Sequence, residues 1–182
     1  VGTTIGSFLA IPFGFLTARN VFGKYPSKFG EFLLILIRTF PEIVLGLMLL
    51  RVFGPGAFTG TVVIAIHSIG MLGKLFAESI ENMDVGPIEA LEAVGGSQMH
   101  KIRHAIVPQI LPDFLSIGLY RLDINIRTAS ILGLVAAGGI GRPLEEAFNA
   151  GWWQDLSAMV IGIVLTIMIM DTISSWLRRK LV

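Results

Sequence analysis

The chain has 182 residues, 53% of them hydrophobic and only 15% charged, with 14 Lys and Arg against 13 Asp and Glu and a mean hydropathy of +0.75. A soluble domain carries about 25% charged residues, so this balance excludes an ordinary water-soluble domain and points to an integral membrane protein. The nearly cancelled charge, with no basic run interleaved with aromatics, gives no nucleic-acid surface, and zero Cys excludes a disulfide framework or a thiolate metal site.

Five apolar segments follow one another along the chain, each near the ~20 residues a spanning helix needs. The first runs roughly from Val1 to Ala18, interrupted by Pro12 and Gly14. It is apolar from a start that is not Met, with no basic stretch ahead of it, so a signal peptide is not expected and a sixth span upstream is. The second covers Phe29 to Phe53 and contains Arg38, Pro41 and Glu42; Arg38 and Glu42, one turn apart across Pro41, read as structural residues. The third covers Ala57 to Ile80, after the Gly54-Pro55-Gly56 turn. On it His67, Met71, Lys74, Glu78 and Glu81 recur at helical spacing and form one stripe. Charges within a span face the bundle interior or a cavity. The stripe therefore reads either as a translocation-pathway lining through His67, Lys74 and Glu78, or as a buried Lys74–Glu78 ion pair with His67 a satisfied core histidine.

Between the third and fourth segments lies a polar, helix-prone loop, about residues 84–108. Asp84 and Pro87 are helix-start residues, and Glu89 and Glu92 fall in the first turns, where they complement the helix dipole. Ala90, Leu91, Ala93 and Val94 offer a small apolar surface, Gly95 and Gly96 end the helix, and a second short helix is expected over Gln98 to His104. Pro108 and Pro112 mark the return to the bilayer. Composition alone also suits an ordinary solvated loop.

The fourth segment runs from about Ile106 to Leu134 and carries Arg121, Asp123, Asn125 and Arg127. Arg121 shares a helical face with Asn125, and Asp123 with Arg127. Guanidinium groups match the oxygens of a compact oxyanion, with Asp123 tempering the field of Arg127; a structural ion pair fits equally. Four glycines within Gly133–Gly141 argue against a helix there and for a loop or short re-entrant piece. The last segment, Leu156 to Leu177, is broken only by Asp171.

Basic residues gather at Arg19, Lys24 and Lys28, at Lys101 and Arg103, and at Arg178, Arg179 and Lys180. These places alternate so as to share one side of the membrane, which puts the 84–108 loop and Val182 in the cytoplasm and Val1 outside. Two motif-like stretches fail as nucleotide sites. Gly70–Leu75 lacks the first Gly and the final Ser or Thr of a phosphate loop, and Gly139-Ile140-Gly141 runs into Arg142-Pro143-Leu144. Any energy source must therefore sit on a partner.

Glu89, Ala90, Gly95 and Pro108 stand at the positions of the EAA motif of permease subunits of bacterial ABC importers, with Leu91, Ala105 and Val107 as apolar exchanges. The runs His67–Glu81, Leu119–Gly141 and Asp171–Arg179 resemble permeases of the phosphonate importer group, so the resemblance covers nearly the whole chain. Asp123 and Ala136 stand where relatives carry Glu and Gly.

The resemblance implies an all-α, polytopic transmembrane bundle of MetI-like type in one domain, residues 1–182, in the bacterial cytoplasmic membrane. It implies a permease homodimer, two ATPase subunits docked on Glu89, Ala90, Leu91, Ala93, Gly95 and Pro108, and a periplasmic or lipid-anchored substrate-binding protein. ATP and Mg would sit on the ATPase, with no cofactor on this chain and no enzyme activity of its own. The cargo implied is phosphonate or a related phosphorus oxyanion. The alternatives are the same architecture serving another solute, or an ion-coupled carrier relaying protons through His67, Lys74 and Glu78.

Overall fold

The structure, a computed structural model, describes residues 1–134, 138 and 141–181. Among these every regular element is helical: α1 (Gly2–Thr17), α2 (Arg19–Phe22), α3 (Lys24–Thr39), α4 (Glu42–Phe53), α5 (Ala57–Glu81), α6 (Gly86–Ala93), α7 (Gln98–Lys101), a π turn (Ile102–Ile106), α8 (Val107–Leu134), α9 (Gly141–Asn149) and α10 (Trp153–Leu181). All five apolar segments are helical. By length and composition α5 and α10 can each cross a membrane, and α3 with α4 makes a third crossing if the bent pair is one span. α1 has 16 residues, and α8 is long but carries Asp113, Arg121, Asp123 and Arg127.

The bundle is organised on α1 and α5. Gly2, Gly6, Ala10 and Gly14 recur every fourth residue and are all buried. A Cβ on Gly6 would stand 2.8 Å from the Ala65 carbonyl oxygen, and one on Gly14 would stand 2.7 Å from Cβ of Phe76. Gly2 faces Thr61, Gly6 faces Ala65 and Ser68, and Gly14 faces Phe76, so the two helices run parallel. Where lipid is as apolar as the side chains, such close approach of small residues is what holds helices together. Pro12 lies inside α1 without ending it.

The second segment is not one helix. α3 and α4 meet at 83°. Phe40 is extended (φ −79°, ψ 122°), as expected of a residue preceding proline. α3 begins at Lys24, earlier than its apolar run, and returns along α5, with Leu34 against Gly73 and Ile37 against Gly70. α8 runs antiparallel to α5: Phe114 stacks on Phe76 with centroids 3.9 Å apart, and Leu132 packs on Val63 at the other end.

α10 forms the outer layer. Val160, Ile161, Val164, Leu165, Met168 and Ile169 are all exposed, which suits a lipid-facing helix. The expected loop at Gly133–Gly141 falls largely on residues 135–137, 139 and 140, which lie outside the described residues, as does Val182. The flanks are close: a Cβ on Gly133 would stand 2.5 Å from the Gly141 nitrogen, so α9 starts against the end of α8.

Candidate functional site

Two sets of polar residues stand out, one in the 84–108 loop and one inside the bundle. In the loop, Asp84 Oδ1 accepts the Gly86 N–H at 3.0 Å, and Pro87 occupies the first turn of α6. α6 has no buried residue. It ends where Gly95 takes φ +74°. The Gly95 N–H then reaches the Glu92 carbonyl at 2.9 Å and the Gly96 N–H reaches the Leu91 carbonyl at 2.8 Å. This double bond pattern is a Schellman cap, and it favours glycine because the left-handed region strains residues with a Cβ.

Glu89, Ala90, Ala93 and Gly95 are exposed, while Leu91 is half-buried and leans toward Gly96. Lys101 is buried and pairs with Glu92 at 2.5 Å. Three apolar side chains that the motif does not contain reach solvent, Val94 at 78%, Met99 at 68% and Val85 at 56% exposure. Their signal in the sequence was apolar residues beside turn glycines in an otherwise polar loop.

Pro108, expected where the chain returns to the bilayer, does not interrupt the helix. Helical backbone continues from Gln98 through Leu134, and Pro108 sits exposed in the first turn of α8. The π turn explains this. The Val107 N–H bonds back to the Ile102 carbonyl, and the widened turn falls where Pro108 has no N–H and its ring would crowd the preceding carbonyls.

Inside the bundle, Arg121 is 3% exposed. Its Nε donates to Ser68 Oγ at 3.1 Å, Nη1 faces Met71 Sδ at 3.4 Å, and Nη2 donates to Glu42 Oε1 at 3.0 Å and lies 3.1 Å from His67 Nδ1. Asn125 Nδ2 donates to Ser68 Oγ and Thr3 Oγ1, both at 2.9 Å. Five elements thus converge on one hub: α1, α4, α5 and two turns of α8 directly, and α3 through its bend into Glu42. Glu42 pairs with Arg121 and lies 3.6 Å from His67 Nδ1: the break at Pro41 turns Glu42 inward and leaves Arg38 exposed, so the two residues read as structural take different roles.

The remaining charges of the stripe go elsewhere. Lys74 Nζ meets Glu31 at 3.1 Å and Glu78 at 3.8 Å, so the expected Lys74–Glu78 pair is the longer of two contacts. Arg19 Nη2 lies 3.6 Å from Glu31, and the Arg19 N–H donates to Glu81 at 2.8 Å. On the far face of α8, Arg127 meets Asp123 at 2.7 Å and Asp171 of α10 at 3.7 Å. The seven residues grouped as a pathway therefore form three clusters. His67, Arg121 and Asn125 share the hub; Lys74 and Glu78 lie toward the basic end; Asp123 and Arg127 face α10.

A cavity of about 340 Å³ between α5, α8 and α10 is lined by Thr61, Ile64, Ile126, Ser130, Ile163 and Thr166 among others, and by none of those seven. Glu42, Glu31, Ser68 and Thr3 were missed, because nothing local in the sequence says which interhelical partner a lone polar residue meets. Among the described residues no three His, Asp or Glu side chains converge on a metal position.

Residues 10–182 match the family model described as binding-protein-dependent transport system inner membrane component. The chain is 35% identical to the phosphite transport system permease protein PtxC of Stutzerimonas stutzeri, over 98% of this chain and 65% of that protein. It is 38% identical to the phosphate-import permease protein PhnE of Mycolicibacterium smegmatis, over 100% of this chain and 34% of that protein. The chain thus spans less than two thirds of either relative. Among solved structures, an inward-facing methionine ABC transporter MetNI superposes with a TM-score of 0.83 at 17% identity, covering 100% of this chain and 90% of that one. An amino acid ABC transporter superposes with a TM-score of 0.77 at 17% identity, over 98% and 86%.

Proposed function

Because the chain belongs to the binding-protein-dependent transport system inner membrane components, we propose that it is the membrane-spanning permease of an ATP-driven importer for phosphonate or a related phosphorus oxyanion. The observation that carries the reading is α6. It is a rigid, glycine-capped helix with no buried residue, flanked by exposed Val85, Val94 and Met99, in a loop off the apolar bundle. Apolar groups held out in water on a fixed scaffold mark a surface made for a partner. Two ATPase subunits fit that role, one on each permease of a homodimer, with ATP and Mg held by them and a binding protein delivering cargo on the opposite face. Glu89, Ala90, Ala93 and Gly95 build the docking helix, Leu91 packs its underside, and Val94 and Met99 extend its contact.

The distribution of basic residues supports a cytoplasmic position for this loop. Arg19, Lys24, Lys28, Arg103 and the Arg178–Lys180 run lie toward the same end of the bundle, since α1 and α5 finish near the start of α8 and α10 runs antiparallel to α8, with Arg178 over Tyr120. ATP binding draws the two α6 helices together, the helices attached to them swing, and the cavity opens to the opposite side; hydrolysis resets it. The oxyanion reading rests on the relatives named for phosphite and phosphate, because Arg121 is engaged by its own neighbours in this conformation. The separation of His67 from Lys74 and Glu78 into two clusters speaks against a proton relay along α5.

The test is reconstitution of the permease with its ATPase and binding protein. ATP-dependent uptake of phosphite, phosphate or methylphosphonate is expected, together with co-purification of the ATPase that is lost in Gly95→Val. Uptake that proceeds without the ATPase overturns the importer reading, and a binding protein that takes none of the three anions overturns the cargo.

A further inference from the structure

Asp84 lies in the non-helical joint between α5 and α6, where a backbone N–H and C=O have no helical partners and must be satisfied another way. Gln109, in the first turns of α8, satisfies both. Its Oε1 accepts the Asp84 N–H at 3.0 Å, and its Nε2 donates to the Asp84 carbonyl at 3.2 Å and to the Ala105 carbonyl at 2.9 Å. One side-chain amide thus grips the two main-chain groups of a single residue, as a neighbouring strand would.

The joint is held from beneath as well. Met83 and Ile106 pack on the cluster formed by Ala18, Ala77, Ile80 and Ile110, and Ser79 Oγ donates to Asp113 at 2.9 Å. The far end of α6 is tied back by Glu92 to Lys101, on the same continuous helix that carries Gln109.

We propose that Gln109 is a positioning residue that fixes the docking helix α6 to α8, so that displacement of α6 is delivered to the Arg121 hub rather than absorbed at the Asp84 joint. From Gln109 to Arg121 the helix spans about 18 Å at ~1.5 Å per residue. The helix continues through Pro112 over that length and so can move as a lever, whereas a free joint at Asp84 would let α6 swivel. The inference rests on reading α6 as the ATPase-docking helix.

Gln109→Leu keeps the size of the side chain and removes both bonds to Asp84. In the reconstituted importer it should leave ATPase co-purification intact and raise the ATP hydrolysed per substrate imported about five-fold. Gln109→Glu, which retains the acceptor for the Asp84 N–H but not the donor, should fall between. A protein that merely lost stability would lose bound ATPase and activity together, without changing that ratio.

A second readout needs neither ATPase nor cargo. The chain has no native cysteine, so spin labels at Val94→Cys and Leu111→Cys in liposomes report the α6–α8 distance directly. A narrow distribution that broadens in Gln109→Leu and in Gln109→Glu is expected. An unchanged distribution, or wild-type ATP stoichiometry in Gln109→Leu, overturns the clamp. Failure of the wild-type chain to bind any ATPase overturns the docking reading instead and leaves the distance measurement to decide the clamp.

Discussion

Arg121 illustrates what a single residue contributes inside this bundle. A guanidinium at 3% exposure is tolerable because Glu42 neutralises it and Ser68, Met71 and His67 take up its donors. Removing one partner leaves the other buried and unpaired. Arg121→Met should therefore cost about 3–5 kcal/mol in the unfolding of the purified permease, and Arg121→Met combined with Glu42→Gln should recover a large part of that loss. A double variant as unstable as the sum of the two single changes would show that the pair is not coupled. The sequence identified Arg121 and Asn125 as one face of one helix, and the structure agrees. The sequence marked Glu42 as structural but could not name its partner Arg121, because one helical turn of spacing says nothing about interhelical contacts once proline turns the backbone. Gly95 was legible for the opposite reason: its role is local, and a left-handed cap depends on the residue itself.

Among the elements, the α1–α5 pair and α10 make a contrast that can be measured. A Cβ on Gly14 meets Phe76 at 2.7 Å, whereas a Cβ on Gly162 of α10 meets nothing within 4 Å. Gly14→Leu should destabilise by about 3 kcal/mol or more in thermal unfolding, and Gly162→Leu should stay within about 0.5 kcal/mol. Equal effects would refute the packing of α1 on α5. The helices of the five apolar segments were readable from runs of sufficient length, whereas α9, in the polar stretch after Gly141 that reads as a loop, was not. Helix continuity was not readable either. Pro12 and Pro108 are absorbed while Pro41 produces an 83° bend. The difference lies in the surroundings: neighbouring helices and a π turn re-satisfy the backbone in the first two cases, and an inward ion pair rewards the bend in the third.

For the whole molecule, the helix directions bring the basic residues to a common end. Single cysteines replacing Lys28 or Arg103 should react with a membrane-impermeant maleimide only after the membrane is opened, while Trp152→Cys should react in intact cells. Labelling of Arg103→Cys from outside would invert the topology and remove the docking loop from the ATPase side. The chain by itself determined that it is a helical membrane protein, where its apolar helices lie and which loop carries the EAA-like residues. These follow from composition, periodicity and local capping, all of which are written in contiguous residues. Only the tertiary structure decided that the stripe of α5 divides among α2, α3, α4 and α8, that Glu42 pairs with Arg121, and that Gln109 grips the root of α6. Those depend on which helices approach closely, and that is set by small residues and a proline bend that join side chains far apart from one another in the chain.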